Sequence, residues 1–352
     1  MDDRADLPLE DIPPPRRRRR LARFLFATFL IGAVAATTIA VAGIWMFNRT
    51  FTDPGPLTEG VVLVIPRGAS VRSIGALLES EGVIDDATLF SWGVRALGGE
   101  RPLKAGEYAF PAQISARGAM ALLQSGKIVE RRLTVPEGLT TLQVLAAVGA
   151  ADGLAGELPP ADKFAEGSLL PETYQYLRGE TRDAFLTRLQ TAMAETLDQL
   201  WRGRSPDASP LKSPQEALIL ASIVERETGL AAERPRVAAV FLNRLRRGMR
   251  LQSDPTVVYG LSNGTGTIGR PITKTDLATD HPYNTYVHAG LPPGPIANPG
   301  RASLAAVLQP IKSKDLYFVA DGTGGHAFAR TLEEHNRNVA KWRRIERQRR
   351  KK

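Results

Sequence analysis

The sequence predicts an α+β protein carried on a single N-terminal membrane-spanning helix, and three observations predict it. Phe24 to Phe47 contains no charged residue; three later segments repeat a Pro-led turn followed by Ser or Thr; and Ser213-Pro214-Gln215-Glu216 opens a helix that is apolar on nearly every face. A chain of 352 residues can hold two or three cores, and 43% hydrophobic with 24% charged residues is the composition of a folding chain. The absence of cysteine excludes disulfide frameworks, cysteine nucleophiles and thiolate metal sites. The net charge of +9 sits in the tails: residues 1–23 carry +2 and residues 337–352 carry +8, which leaves the body at −1. A near-neutral body offers no broad surface to a polyanion, so no nucleic-acid partner is expected.

As a helix, the 24 uncharged residues span roughly 36 Å, enough for a bilayer. Arg16 to Arg20 and Arg23 precede the span, whereas Arg49, Asp53 and Glu59 follow it. The positive-inside rule then makes residues 1–23 a basic cytoplasmic N-terminus and 24–47 a single pass through the cytoplasmic (inner) membrane, with the rest outside on the periplasmic side. A cleaved signal peptide is the competing reading, because Ala33-Val34-Ala35 fits a small-residue cleavage pattern. Against it, the apolar run continues through Ile39, Val41, Ile44, Trp45 and Phe47.

Residues 48–58, with Pro54-Gly55-Pro56, read as a linker. Val61 to Ile65 is a β-branched run fit for a buried strand. Pro66-Arg67-Gly68-Ala69-Ser70, Pro111-Ala112-Gln113-Ile114-Ser115 and Pro136-Glu137-Gly138-Leu139-Thr140 each place Ser or Thr four residues after Pro, and Leu77-Leu78 and Leu122-Leu123 follow the first two at one offset. Each unit reads as a strand, a turn, an N-cap and a short helix. Similar units occur in glycan-binding LysM modules, which makes 59–160 a LysM-like α+β region or, alternatively, a plain α+β spacer. The Gly/Ala/Pro-rich stretch from Asp152 to Glu166 marks the boundary with a mixed α+β domain over 161–340, and 341–352 is a basic tail. Thr181 can cap a helix carrying Phe185, Leu189, Met193, Leu197, Leu200 and Trp201 as a core stripe. Ser213 to Glu216 is a capping box with Pro at the first helical position, and the helix it starts should be buried and stop at Gly229.

That helix ends in Glu225-Arg226-Glu227-Thr228. Apolar surroundings and the negative end of the helix dipole both favour the neutral acid, the condition for a general acid. Two residues apart are about 200° apart around a helix, so one acid can face a cleft while the other needs a partner such as Arg226, Arg234 or Arg236. Spacing does not choose between them, and surface ion pairs at a fraying end are the plain alternative. Tyr283, Asn284 and Tyr286 lie in a Pro/Gly-bounded loop whose aromatic faces and amide suit a sugar groove or loop packing. Gln252 and Asp254 precede Pro255, where Asp254 can organise a turn. Glu172, Asp254, Asp276 and Asp280 are the carboxylates available as a second acid. His281, His288, His326 and His335 match no zinc spacing, so no metal is expected, and Asp321 to Gly325 reads as a hairpin turn. The basic tail, with Val339, Trp342 and Ile345 among its cations, suits either solvent or an anionic lipid surface.

Ala221 to Thr228, Val240 to Leu245, Met249 to Gly260, Tyr283 to Tyr286, Gly290 to Ile296 and Leu316 to Gly322 through His326 and His335-Asn336 form an ordered series of blocks. Together they resemble the endolytic murein transglycosylase (MltG, YceG-like) family over roughly residues 60 to 345. The resemblance implies a membrane span, a LysM-like region and a catalytic domain. It also implies cleavage of the β-1,4 bond between N-acetylmuramic acid and N-acetylglucosamine of nascent peptidoglycan, which leaves 1,6-anhydro ends and limits strand elongation. It carries the catalytic role to Glu227, with Glu225 as runner-up, because the Glu-Thr pair resembles the Glu-Ser pair of lysozyme-like lytic transglycosylases. Gln252, Tyr283, Asn284 and Tyr286 are the expected substrate-binding residues, no cofactor is implied, and the implied partners are peptidoglycan strands, the membrane and penicillin-binding proteins. Glu166 to Tyr174 departs from the family pattern, which puts the substrate wall there in doubt. A non-catalytic, membrane-anchored peptidoglycan-binding scaffold is the alternative function.

Overall fold

The structure, a computed structural model, describes residues 16–349, with side chains from 23 onward. Most of the expected cytoplasmic N-terminus and the last three residues of the basic tail lie outside the described residues. The chain forms two compact units that meet in sequence at Val129 and Glu130.

The first unit begins with α1 (Arg16–Thr52), the one helix among the described residues long and apolar enough to cross a membrane. Its Phe, Leu, Ile and Val side chains face outward from Phe24 to Met46, the surface that lipid rather than water would cover. The helix outlasts the expected span and enters the expected linker: Phe47 stacks on Phe51 at 5.7 Å, and Phe51 is fully buried. Burying that ring offsets the loss of backbone freedom over one more turn. After it come β1 (Val61–Ile65), α2 (Val71–Ser80), α3 (Ala87–Leu97), β2 (Gly106–Phe110) and α4 (Ala116–Ser125). Strands β1 and β2 pair antiparallel with Val61 opposite Phe110, and Ile65, Leu78, Phe90, Tyr108 and Leu123 fill the core beneath them. Gly93 of α3 is required for space, since a Cβ there would run into the buried Phe51 ring. Gly93→Ala is therefore expected to destabilise this unit by about 1–3 kcal/mol, read as a lower thermal midpoint of the full chain.

The second unit contains β3 (Arg131–Thr134), α5 (Thr141–Ala150), β4 (Thr173–Tyr176), α6 (Arg182–Arg202), α7 (Pro214–Glu227), α8 (Arg234–Arg246), α9 (Asp254–Leu261), α10 (Lys274–Ala278), α11 (Arg301–Leu308), β5 (Tyr317–Ala320), β6 (His326–Ala329) and α12 (Leu332–Arg349). The three repeated hydroxyls cap their helices: Ser70, Ser115 and Thr140 accept the N–H of Ser73, Gly118 and Gln143. The third repeat nevertheless belongs to the second unit. Its strand pairs with β4, Thr134 opposite Thr173, so the Gly/Ala/Pro-rich stretch from 152 to 166 lies inside this unit.

Helix α7 is the buried axis expected from its sequence, with Ala217 to Val224 all buried against α8 and α11. Ser213 accepts the Glu216 N–H at 3.2 Å, while Glu216 reaches the Lys212 N–H at 2.6 Å rather than closing a reciprocal box. The helix stops because Thr228 turns extended (φ −138°, ψ 129°), not through a left-handed Gly229. Residues 321 to 325 form the expected hairpin turn between β5 and β6. Trp342 and Ile345 of α12 lie against that turn at Gly322, so these two apolar groups are engaged within the unit.

Candidate active site

The two acids at the end of α7 have opposite surroundings. Glu225, with a side chain only 4% exposed, receives Arg234 at 3.0 Å and the Gly300 N–H at 2.9 Å. Arg234 also reaches Glu137 at 2.7 Å. Of the three arginines weighed from the sequence, Arg234 is the partner; Arg226 donates to the Gly138 carbonyl and Arg236 pairs with Asp315. Both Glu225 oxygens are occupied, which makes it a structural ion-cluster member.

Among the described residues Glu227 has no ion pair. It accepts the buried Ser253 hydroxyl, 2.5 Å from Oε1. Burial pushes the carboxyl up to about 7, the Ser253 bond pulls down, the Asp254 charge pushes up, and His326 and Arg244 pull down. The group keeps some accessible surface, so a crowded, poorly hydrated acid remains open on one side. A carboxyl balanced near neutrality can give and take a proton at low cost, as general acid–base chemistry needs.

Ser253 is aimed by its neighbours. Its N–H donates to Thr285 Oγ1 at 3.0 Å, and Gln252 before it adopts a left-handed backbone (φ 51°) with its N–H on the Thr285 carbonyl. That conformation is unfavourable for a residue other than Gly, Asn or Asp, and the Gln252 side chain is exposed. Removing the hydroxyl withdraws a bond that favours the carboxylate. In Ser253→Ala the Glu227 titration, followed by carboxyl NMR, is expected to move upward by about one pH unit.

The aromatic loop divides by role. Tyr286 is half-buried, donates its hydroxyl to Asp254 at 2.6 Å, and lies within electrostatic reach of Glu227. Tyr283 packs on Tyr259 at 4.9 Å between ring centroids, and Tyr259 in turn donates to Glu166. Asn284 takes the loop-packing alternative. It is 1% exposed, its amide nitrogen is shared by the carbonyls of Asp276, Leu277 and Thr279, and its oxygen accepts the Tyr286 N–H, so it ties the loop together. Asp276 is held well below the carboxylate range by its Arg270 and Thr273 hydrogen bonds, and Asp280 pairs with His288. Glu166 is pushed up by burial, but Thr141 and Gly167 occupy one oxygen and Tyr259 the other.

Sequence reasoning missed Ser253, Arg244 and the pair formed by Glu233 and His326. Arg244 is a buried guanidinium that donates to the Leu316 and Leu251 carbonyls. Ser253 lies within a motif block, but nothing in its spacing says that it meets an acid 26 positions away.

The YceG-like family model matches residues 63–341. The chain is 32% identical over 330 residues to a Streptococcus pneumoniae protein named endolytic murein transglycosylase, covering 80% of this chain and 58% of that one. A Bacillus subtilis protein of the same name is 30% identical over 336 residues, covering 86% and 91%. The chain thus spans under two thirds of the pneumococcal relative's length but most of the Bacillus one's. A 2.6 Å crystal structure of a YceG-like protein from Listeria monocytogenes superposes with a TM-score of 0.50 at 31% identity, covering 79% of this chain and 98% of that one.

Proposed function

The chain belongs to the YceG-like family, and from that premise we propose that it is a membrane-anchored lytic transglycosylase acting on peptidoglycan with Glu227 as its acid and base. The observation that carries this reading is the contrast at the end of α7: Glu225 is consumed by Arg234 and Gly300, whereas Glu227 has no counter-ion among the described residues and is pushed up to about 7.

Protonated Glu227 gives its proton to the oxygen leaving from the β-1,4 bond between N-acetylmuramic acid and N-acetylglucosamine. The 2-acetamido group of the muramyl sugar supports the positive charge growing at the anomeric carbon. The carboxylate then takes the proton of the same sugar's 6-hydroxyl, which closes the 1,6-anhydro ring in place of water. The Ser253 hydroxyl holds the carboxylate between the two steps. Exposed Gln252 and half-buried Tyr283 and Tyr286 are the residues we assign to the glycan; Asn284 supports their loop.

The N-terminal helix anchors the enzyme in the cytoplasmic membrane, with the arginines before it inside and residues 48–352 outside. Tethering raises the concentration of the site near newly made strands, where it limits their elongation beside the penicillin-binding proteins that make them. In the first unit, the order strand, helix, helix, strand with one antiparallel pair supports reading it as a small LysM-like glycan-binding module. The test is digestion of purified glycan strands by the full chain in micelles. Shortened strands are expected from wild type and from Glu225→Gln corrected for folded fraction; binding without shortening would instead support a scaffold.

A further inference from the structure

The strands and short helices of the first unit run between the same two ends. At one end Ile65 pairs with Gly106, Ile128 just past α4 lies against Gly106, and Gln124 near the end of α4 donates to the Gly98 and Arg101 carbonyls just past α3. That end gathers the start of α2 and the ends of α3 and α4. At the other, Val61 pairs with Phe110, Glu79 near the end of α2 accepts the Ala87 N–H at the start of α3, and Gly55 lies against the Val83 and Ile114 carbonyls.

The charges divide between these ends. Arg67, Arg72, Arg95, Arg101, Lys104 and Lys127 are all exposed at the first, against one exposed acid, Glu100. Asp53, Glu59, Glu79, Glu81, Asp85 and Asp86 are exposed at the second, against Arg117. None of the six cations has a carboxylate partner among the described residues. Nothing in the core beneath β1 and β2 requires this separation.

Helix α1 identifies the end that meets the membrane. It packs on α3 and α4, with Phe51 against Gly93 in the middle of α3. From there the chain climbs to the acidic end, where Gly55 meets Val83, so the part of α1 before Phe51 lies toward the basic end. Four residues back from Phe51 is Phe47, the last of the uncharged run, and four residues on from Gly93 is Leu97. Each step is about 6 Å along a helix, which brings Leu97 level with the edge of the hydrocarbon. The polar layer beyond that edge is about 5–7 Å thick on each side. Leu97 is 43% exposed and Trp92, one turn back along α3, is 62% exposed, as groups at a lipid boundary would be.

We propose that the basic end of the first unit is a docking surface for anionic phospholipid, with its arginines and lysines on headgroup phosphates, so that the unit is seated on the bilayer instead of swinging from α1. The proposal rests on the reading of α1 as a membrane span and adds a second contact with the same leaflet. Headgroups are the anions that α1 itself brings to this level, and the acidic end faces away from them. The carboxylates of a glycan strand are the competing occupant.

The chain has no cysteine, so one introduced at Ala96, exposed in the last turn of α3, or at Ser80, exposed at the acidic end, carries a single fluorophore. The two positions are separated by most of the length of α3, about 15 Å. The full chain is placed in nanodiscs of phosphatidylcholine with about 30% phosphatidylglycerol, with or without phosphatidylcholine spin-labelled on its headgroup. The spin label is expected to quench the Ala96→Cys probe about twofold or more and to leave the Ser80→Cys probe unchanged. Omitting phosphatidylglycerol should weaken the quenching, as should about 1 M salt, where screening shortens the reach of each charge to about 3 Å. Arg72→Glu with Arg95→Glu should weaken it too, while Arg117→Glu at the far end should not.

Equal quenching at the two positions overturns the proposal. So does quenching at Ala96→Cys that is the same without phosphatidylglycerol, in high salt and in the double variant, because α1 alone then sets the height. Phosphatidylglycerol-independent quenching that purified glycan strands abolish assigns the surface to the wall polymer instead. These three results leave the membrane anchor standing; a full chain that does not stay with the discs overturns the anchor and the proposal together.

Discussion

Glu227→Gln is expected to slow strand cleavage about a thousandfold, within the range of a lost general acid, while leaving the folded state intact. The same substitution should stabilise the protein above neutral pH. Burial raises the Glu227 carboxyl from its ordinary 4.5 to about 7 in the folded chain. The folded state therefore holds this proton more tightly than the unfolded one, and the stability this contributes is complete below the ordinary value and lost as pH rises through the folded one. Glutamine has no proton to lose. Melting temperatures of variant and wild type should run in parallel below about pH 4, diverge across the interval between the two values, and keep a constant gap above it, equivalent to a few kcal/mol at most. A gap that does not change with pH would mean that the acid is not held neutral by its surroundings.

Arg234→Ala is expected to destabilise the second unit by about 3–5 kcal/mol. The guanidinium is 11% exposed and bridges Glu225 and Glu137, and removing it strands the nearly inaccessible Glu225 without a cation. Glu225→Gln should cost less, since Arg234 keeps Glu137 and the amide oxygen can still accept the Gly300 N–H. The ordering matters more than either value. Equilibrium unfolding should rank Arg234→Ala well below Glu225→Gln, and Glu225→Gln should keep its cleavage rate per folded molecule. The reverse ranking would mean that the cluster does not hold the helix end.

Local chemistry made much of this architecture legible. The charge-free run, the Ser and Thr caps and the all-round apolar helix each depend on residues within one or two turns, and α1, the three capped helices and α7 follow from them. What sequence spacing cannot carry is a choice made by distant partners. Glu225 and Glu227 look alike in the chain; Gly300, 75 positions away, and Arg234 on the next helix distinguish them. An Asn in a loop with two tyrosines reads equally well as a ligand or as a tie, and it is the three carbonyl acceptors of Asn284 that show the tie. The third repeat shows the same limit: its turn and cap are local, but its strand joins β4 through pairing that no repeat pattern encodes.

The mass of the ends produced from purified glycan strands shows whether Glu227 drives anhydro-ring closure. Wild-type full chain should give fragments ending in 1,6-anhydro-muramyl sugar, one water lighter than hydrolysed ends, and Glu227→Gln should give none. Reducing ends from the wild type would mean hydrolysis, with water and a second carboxylate, and anhydro ends surviving in Glu227→Gln would place the acid elsewhere.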